Sequence, residues 1–195
     1  MSSLAQRSRK SSAQATNQVR ISGGEWRSRL LRFPDAPGLR PTPDRVRQAV
    51  FNWLGQDMHG MNCLDLFAGT GAMGFEALSR GARSLVLVEK SPLAYRSLLD
   101  NQHNLQAGQA QIFNQDAMSF LSQDQQQFDV IFVDPPYNQG WLDKLLPELA
   151  SHLAPDGVIY AEAEYALADT PQWQVIKHGK AGNVFYHLLK SVHDQ

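Results

Sequence analysis

Several groups that readily announce a chemistry are scarce in this sequence. Its one cysteine, Cys63, cannot close an internal disulfide, and its place in the apolar stretch "MNCLDLF" marks a small buried hydrophobe. The histidines His59, His103, His152, His178, His187 and His193 show no metal-ligand spacing, so no metal is expected. No apolar run approaches the roughly 18 residues that a membrane helix needs. The amino-terminal "MSSLAQRSRKSSAQATNQ" has no apolar core of the secretory kind. A soluble, cytoplasmic protein without membrane contact is the expectation.

Charge is present but uneven. The net charge of the 195 residues is only −1, yet Met1 to Arg47 carry ten Lys+Arg against three Asp+Glu, and the remainder carries eight against sixteen. A basic block on an otherwise acidic domain points to a polyanionic partner, nucleic acid first. Residues 1 to 17, rich in Ser, Gln, Ala and Arg, have no hydrophobic period and read as a disordered basic tail. "QVRISGGEWRSRLLRF" reads as a hairpin around Gly23 and Gly24, with Arg27, Arg29 and Arg32 along its second arm. In "GLRPTPDRVRQAVFNWLG" a helix begins with Thr42 as N-cap, Pro43 at its first position and Asp44 in its first turn. Val46, Val50, Phe51 and Leu54 form its apolar face, and Gly55 ends it.

From Asn62 onward, short apolar runs alternate with helical patterns. "CLDLF", "SLVLVE", "AQIFN", "FDVIFVD" and "GVIYAEA" are the runs; "AMGFEALSRG", "PLAYRSLLDNQHNL", "AMSFLSQ" and "WLDKLLPELASHL" lie between them. This rhythm predicts βαβ units, hence an α/β fold whose parallel sheet is covered on both faces. "QWQVIKHG" and "NVFYHLLKS", joined by "KAGN", break the rhythm and predict a closing antiparallel hairpin. One domain is expected over residues 18 to 195, with an extension from 18 to 55 and a catalytic core from 56 to 195.

"LDLFAGTGAMGFEAL" sets Gly69, Gly71 and Gly74 between a strand and a helix, where glycines allow a tight turn and close approach of a ligand. Glu89 follows the second run and Asp116 the third, so successive strand ends offer carboxylates to one crevice. Two nucleoside cofactors suit such a crevice. A nicotinamide dinucleotide would place a pyrophosphate on the glycine loop, where Asp65, four residues before Gly69, would repel it. S-adenosylmethionine carries an ammonium that Asp65 attracts, a ribose for Glu89 and an adenine amine for Asp116, and is the reading we favour.

"FVDPPYN" ends the fourth run on Asp134 and follows it with Pro135, Pro136 and Tyr137. Proline can extend neither sheet nor helix, so the chain leaves regular structure there as a stiff loop. The Asp134 carboxylate and the next carbonyl can each accept a hydrogen bond from an exocyclic amine, and the Tyr137 ring offers a stacking face. Such acceptors orient the nitrogen lone pair toward a methyl donor and stabilise the developing positive charge.

With these residues in view, the chain resembles the amino-methyltransferases bearing a D/N-P-P-Y/F tetrad. More closely, it resembles the bacterial 16S ribosomal RNA guanine-N2 methyltransferases of the RsmD type. "RISGGEWRSR", "GLRPTPDRVRQAVFNWL", "LDLFAGTGAMGFEALSRGA", "VEK", "DAMSFL" and "FVDPPY" carry the resemblance in order, from Gln18 to Lys190. Ser28 and Thr70 depart from it, where the family often has glycine and serine. The resemblance implies a class I methyltransferase, Rossmann-like fold with a seven-stranded sheet of order 3-2-1-4-5-7-6. It implies S-adenosylmethionine as cofactor, with Asp65, Ala68, Gly69 and Gly71 at its methionine end, Glu89 at the ribose, and Asp116 and Ala117 at the adenine. Asp134 to Tyr137 would hold a guanine of 16S ribosomal RNA, on a 30S subunit, for a monomeric enzyme. "GLRPTPDR" resembles the family's segment that closes over the cofactor, which makes Arg40, Thr42, Asp44 and Arg45 candidates there. Arg27 and Arg29, with Arg40 and Arg45, are the candidate RNA contacts. Methylation of adenine N6 or of another amine in nucleic acid or protein remains open, because the tetrad serves those acceptors too.

Overall fold

The computed structural model describes residues 16 to 192. The tail expected over 1 to 17 lies outside the described residues except at its end, where Thr16 and Asn17 belong to a strand. That strand, β1 (Thr16–Arg20), pairs antiparallel with β2 (Leu30–Pro34). The hairpin's second arm is shorter than expected: Arg32 lies on β2, whereas Arg27 and Arg29 belong to the connection.

Helix α1 (Asp44–Leu54) starts one residue later than the sequence suggested. Pro43 is its N-cap, Asp44 opens its first turn, and Gly55 ends it at φ 100°. Thr42 makes no cap, because its hydroxyl is engaged elsewhere. The buried face holds Val46, Val50 and Phe51 as expected, and also Arg47.

The main sheet takes β3 (Asn62–Asp65), β4 (Ser84–Val88), β5 (Ala110–Phe113), β6 (Phe128–Val133), β7 (Leu153–Ala163), β8 (Trp173–Ala181) and β9 (Val184–Ser191). Their order is β5-β4-β3-β6-β7-β9-β8, the order implied by the resemblance, with the first five parallel and β9 antiparallel to both neighbours. Side chains alternate between two apolar layers, as a sheet covered on both faces requires. Leu85 and Leu87 of β4 join one layer with α1, α2 (Ala72–Ser79) and α3 (Pro92–Leu105); Val86 and Val88 join the other with α4 (Ala117–Gln123) and α5 (Trp141–Leu149). Cys63 lies in the first layer, and burial pushes its thiol up to about 12, which keeps it inert. Among the described residues, no helix is long and apolar enough to cross a membrane.

The amino-terminal hairpin is bolted to α2. The Glu76 carboxylate accepts from the Ser22 amide and hydroxyl and from the Gly23 amide, each at 2.8 Å, and from Arg80 Nε at 2.9 Å. Ser79 adds a second latch: its hydroxyl donates to the Gly23 carbonyl at 2.6 Å and accepts from the Trp26 amide at 2.9 Å. Arg47 supports the same corner, donating from Nη2 to the Arg20 carbonyl and to Asp44.

Candidate active site at the strand ends

The carboxyl ends of the five parallel strands meet at one edge, and each delivers an acid. Asp65 ends β3, Glu89 follows β4, Asp116 lies three residues beyond β5, Asp134 follows β6, and Glu162 is the penultimate residue of β7. Four of these were expected. Glu162 was not, and it is buried.

Between β3 and α2 the glycine loop takes the conformation its residues allow. Gly71 caps α2 at φ 77°, and a Cβ there would stand 2.6 Å from the Phe75 ring and 2.7 Å from Leu98. Gly74 lets the helix lie on the sheet, since a Cβ would meet Leu87 at 2.7 Å. The loop is tied to its acids. Asp65 Oδ2 accepts from the Gly74 amide at 3.2 Å, and Glu89 Oε2 accepts from the Gly69 amide at 2.8 Å while Oε1 accepts from the Ser91 amide at 2.6 Å. Burial pushes the Asp65 carboxyl up to about 7, against the opposing pull of the Gly74 amide; the charge of Glu89 adds to the rise.

Asp116 caps α4, accepting from the Met118 amide at 3.0 Å, and its other oxygen stands 3.7 Å from Lys90 Nζ. Ala117, the first residue of α4, is buried beside it.

The acceptor side is built on β6 and β7. Their register pairs Phe132 with Tyr160 and Val133 with Ala161, so the next residues along, Asp134 and Glu162, emerge side by side. The two carboxyls share a hydrogen bond. Glu162 also accepts from Tyr160 at 2.5 Å, from Tyr137 at 3.4 Å and from the Thr42 hydroxyl. Desolvation, then repulsion by Glu162 and Asp65, holds the Asp134 carboxyl well above the usual range. Glu162 is raised as well, chiefly by burial, with its hydroxyl partners pulling the other way. Tyr137 keeps 39% of its surface exposed. The loop is fixed at its far end by the Asn138 amide donating to Glu164 at 2.8 Å.

Asp65, Ala68, Gly69 and Asp134 line a single cavity of about 30 Å³, together with Thr42 and Arg40 from the segment before α1. Cofactor and acceptor candidates therefore converge. Glu89, Asp116 and Ala117 stand along the same edge beyond this cavity's walls, where an extended nucleoside would lie. The candidate arginines do not form one cluster. Arg40 is at the cavity, Arg45 is exposed in the first turn of α1, and Arg27 and Arg29 lie on the hairpin connection, where Arg29 donates to the Asn104 carbonyl at 2.5 Å. Glu162 escaped the sequence reading because "GVIYAEA" reads as one apolar run. A signal was present in Tyr160 and Glu162, two polar-tipped residues at spacing two on the strand after the tetrad.

Comparison with known proteins agrees with this architecture. The family described as Conserved hypothetical protein 95 matches residues 19–190. The chain is 43% identical over 180 residues to the Ribosomal RNA small subunit methyltransferase D of Escherichia coli, covering 90% of this chain and 91% of that one. It is 38% identical over 185 residues to the protein of the same name from Haemophilus influenzae, covering 91% and 96%. The solved structure of the Escherichia coli candidate methyltransferase yhhF superimposes with a TM-score of 0.80 at 41% identity, covering 90% of this chain and 98% of that one.

Proposed function

The chain belongs to the RsmD-type methyltransferase family, and from that membership we propose that it methylates the exocyclic N2 of a guanine in 16S ribosomal RNA. In its coarser form the activity is S-adenosylmethionine-dependent methylation of ribosomal RNA on a class I methyltransferase fold. The finer reading adds the guanine, a 30S subunit as substrate, a monomeric enzyme and a cytoplasmic setting. One observation carries the site assignment: Asp65 and Gly69 on the donor side, and Asp134 on the acceptor side, line the same cavity.

The residues present suit S-adenosylmethionine. The glycine loop faces carboxylates, which attract an ammonium and repel a pyrophosphate. Asp65, with Ala68, Gly69 and Gly71, would hold the methionine end. Glu89 retains acceptor capacity beyond its two amide donors for the ribose hydroxyls. Asp116 and Ala117 would take the adenine, and Arg40 and Thr42 would close the segment before α1 over the whole. When bound, the cofactor supplies an electrophilic methyl group.

The acceptor residues then do the positioning. Tyr137 stacks on the target base, while Asp134 and the carbonyl after it accept the two amine hydrogens and turn the nitrogen lone pair toward the methyl carbon. Arg27, Arg29 and Arg45, all exposed, supply charge for the phosphate backbone, which gives affinity without naming a base.

The test is incubation of the protein with labelled S-adenosylmethionine and 30S subunits lacking this methylation, followed by mass spectrometry of the nucleosides. N2-methylguanosine supports the reading; label on adenine or on protein overturns it.

A further inference from the structure

We propose that Glu162 is a positioning residue for the methyl transfer: it shares one proton with Asp134 and takes that proton over when the target amine releases its own to Asp134. The inference rests on the reading of Asp134 as the amine acceptor. It starts from an arrangement that reading does not require. Two carboxyls hydrogen-bonded to each other must hold a proton between them, because two anions in contact repel. Hydroxyl donors decide where it sits. Tyr160, Tyr137 and Thr42 all donate to Glu162, and among the described residues the one side-chain hydrogen bond of Asp134 is that to Glu162. Glu162 is thus the anionic member, and Asp134 is a neutral acid donating to it.

A neutral Asp134 keeps one oxygen free to accept from the amine. As the nitrogen lone pair closes on the methyl carbon, the carbon–sulfur bond breaks with its electron pair going to sulfur, and nitrogen becomes cationic. The nitrogen then gives a proton to the free oxygen of Asp134 and keeps the N–H bonding pair. The proton already on Asp134 passes to Glu162. Both acids end neutral, the methylated amine ends neutral, and no charge is left stranded in a buried site.

The surroundings set how this pair titrates. Tyr160 faces it from β7, Tyr137 from the loop after β6, Thr42 from the segment before α1 and Asp65 from β3; Glu164 stands behind Tyr137, and Arg40 brings positive charge at the cavity wall. Tyr186 of β9 is the register partner of Glu162.

Infrared difference spectroscopy of the full-length protein across pH reads the protonated carboxyl band directly, and single-turnover transfer to 30S subunits supplies a rate profile. A proton-sharing pair titrates in two steps, displaced to either side of the value that one of these carboxyls would have alone in the same buried site. Glu162→Gln collapses them into one step between the two. The upper infrared midpoint then moves down and the acid limb of the rate moves up, each by about one pH unit or more. Tyr160→Phe removes a donor to the anion while sparing both carboxyls, and moves both midpoints upward. Asp65 titrates as well and repels Asp134, so the infrared comparison is repeated in an Asp65→Asn background, which removes its band. S-adenosylhomocysteine affinity within about twofold of wild type certifies a folded cofactor site. Midpoints and acid limb unmoved in both variants overturn the proposal. A wild-type protein that methylates no RNA overturns the proposed function instead, and the infrared titration still decides whether the pair exists.

Discussion

The Gly69 amide donates to Glu89 Oε2 at 2.8 Å, so the turn after β3 and the end of β4 hold each other. Glu89 therefore shapes the glycine loop while keeping lone pairs for a ribose. Glu89→Ala should weaken S-adenosylhomocysteine binding by about tenfold or more, since each lost charge-assisted hydrogen bond is worth about 1.5–3 kcal/mol. Isothermal titration calorimetry checks this, and an unchanged affinity removes Glu89 from the cofactor site.

Asp134 stands on the acceptor side, so its loss should separate binding from turnover. We expect Asp134→Ala to lower the single-turnover rate by about a hundredfold or more, as removal of a positioned electrostatic group does. Cofactor affinity should stay within about threefold, because Asp65 and Glu89 remain in place. Rapid-quench kinetics beside calorimetry distinguishes this outcome from general damage, in which both would fall.

Asp65 predicts a pH dependence of stability. Its carboxyl is raised from 3.8 to about 7, so between those values the folded protein holds a proton that the unfolded chain has released. Its stabilising contribution is present below the window and is lost as pH rises through it. Asp65→Asn carries no such penalty. Urea melts at pH 5 and pH 8 should show the wild type losing ground to the variant as pH rises, and a constant difference contradicts the burial argument.

Glu76 is fully buried, with two backbone amides, a hydroxyl and Arg80 around it. Glu76→Ala leaves the mostly buried Arg80 without its ion-pair partner and removes one of the two acids that offset buried Arg47, which keeps Asp44, and should cost about 3–5 kcal/mol. Chemical denaturation measures it. Glu76→Gln, which keeps the acceptor oxygen, should cost less.

Much of this arrangement was legible in the chain. Alternation of "SLVLVE" with helical patterns fixed β4 and its neighbours, because a strand covered on both faces must be apolar throughout. Asp65, Glu89 and Asp134 were legible because each interrupts or ends an apolar run where a strand must stop, and Asp116 because it closely follows such a run. Thr42 was misjudged as an N-cap: local rules favour a threonine before proline, but a hydroxyl beside a buried carboxylate satisfies a stronger demand. Arg47 was missed for a related reason. Its place among Val46 and Val50 looks like a solvated edge until the Arg20 carbonyl, contributed by a strand distant in sequence, closes over it. Glu162 is marked locally only by its spacing from Tyr160; the register of β7 on β6 is what brings it beside Asp134.

The latch between hairpin and α2 also bears on transplantation. Ser22, Gly23 and Trp26 are held by Glu76 and Ser79, residues of the helix that begins at the cofactor loop. The amino-terminal arm is consequently no portable cassette. A chimera that moves residues 18 to 55 onto another methyltransferase scaffold must carry the matching outer face of that helix, or the graft arrives with no socket.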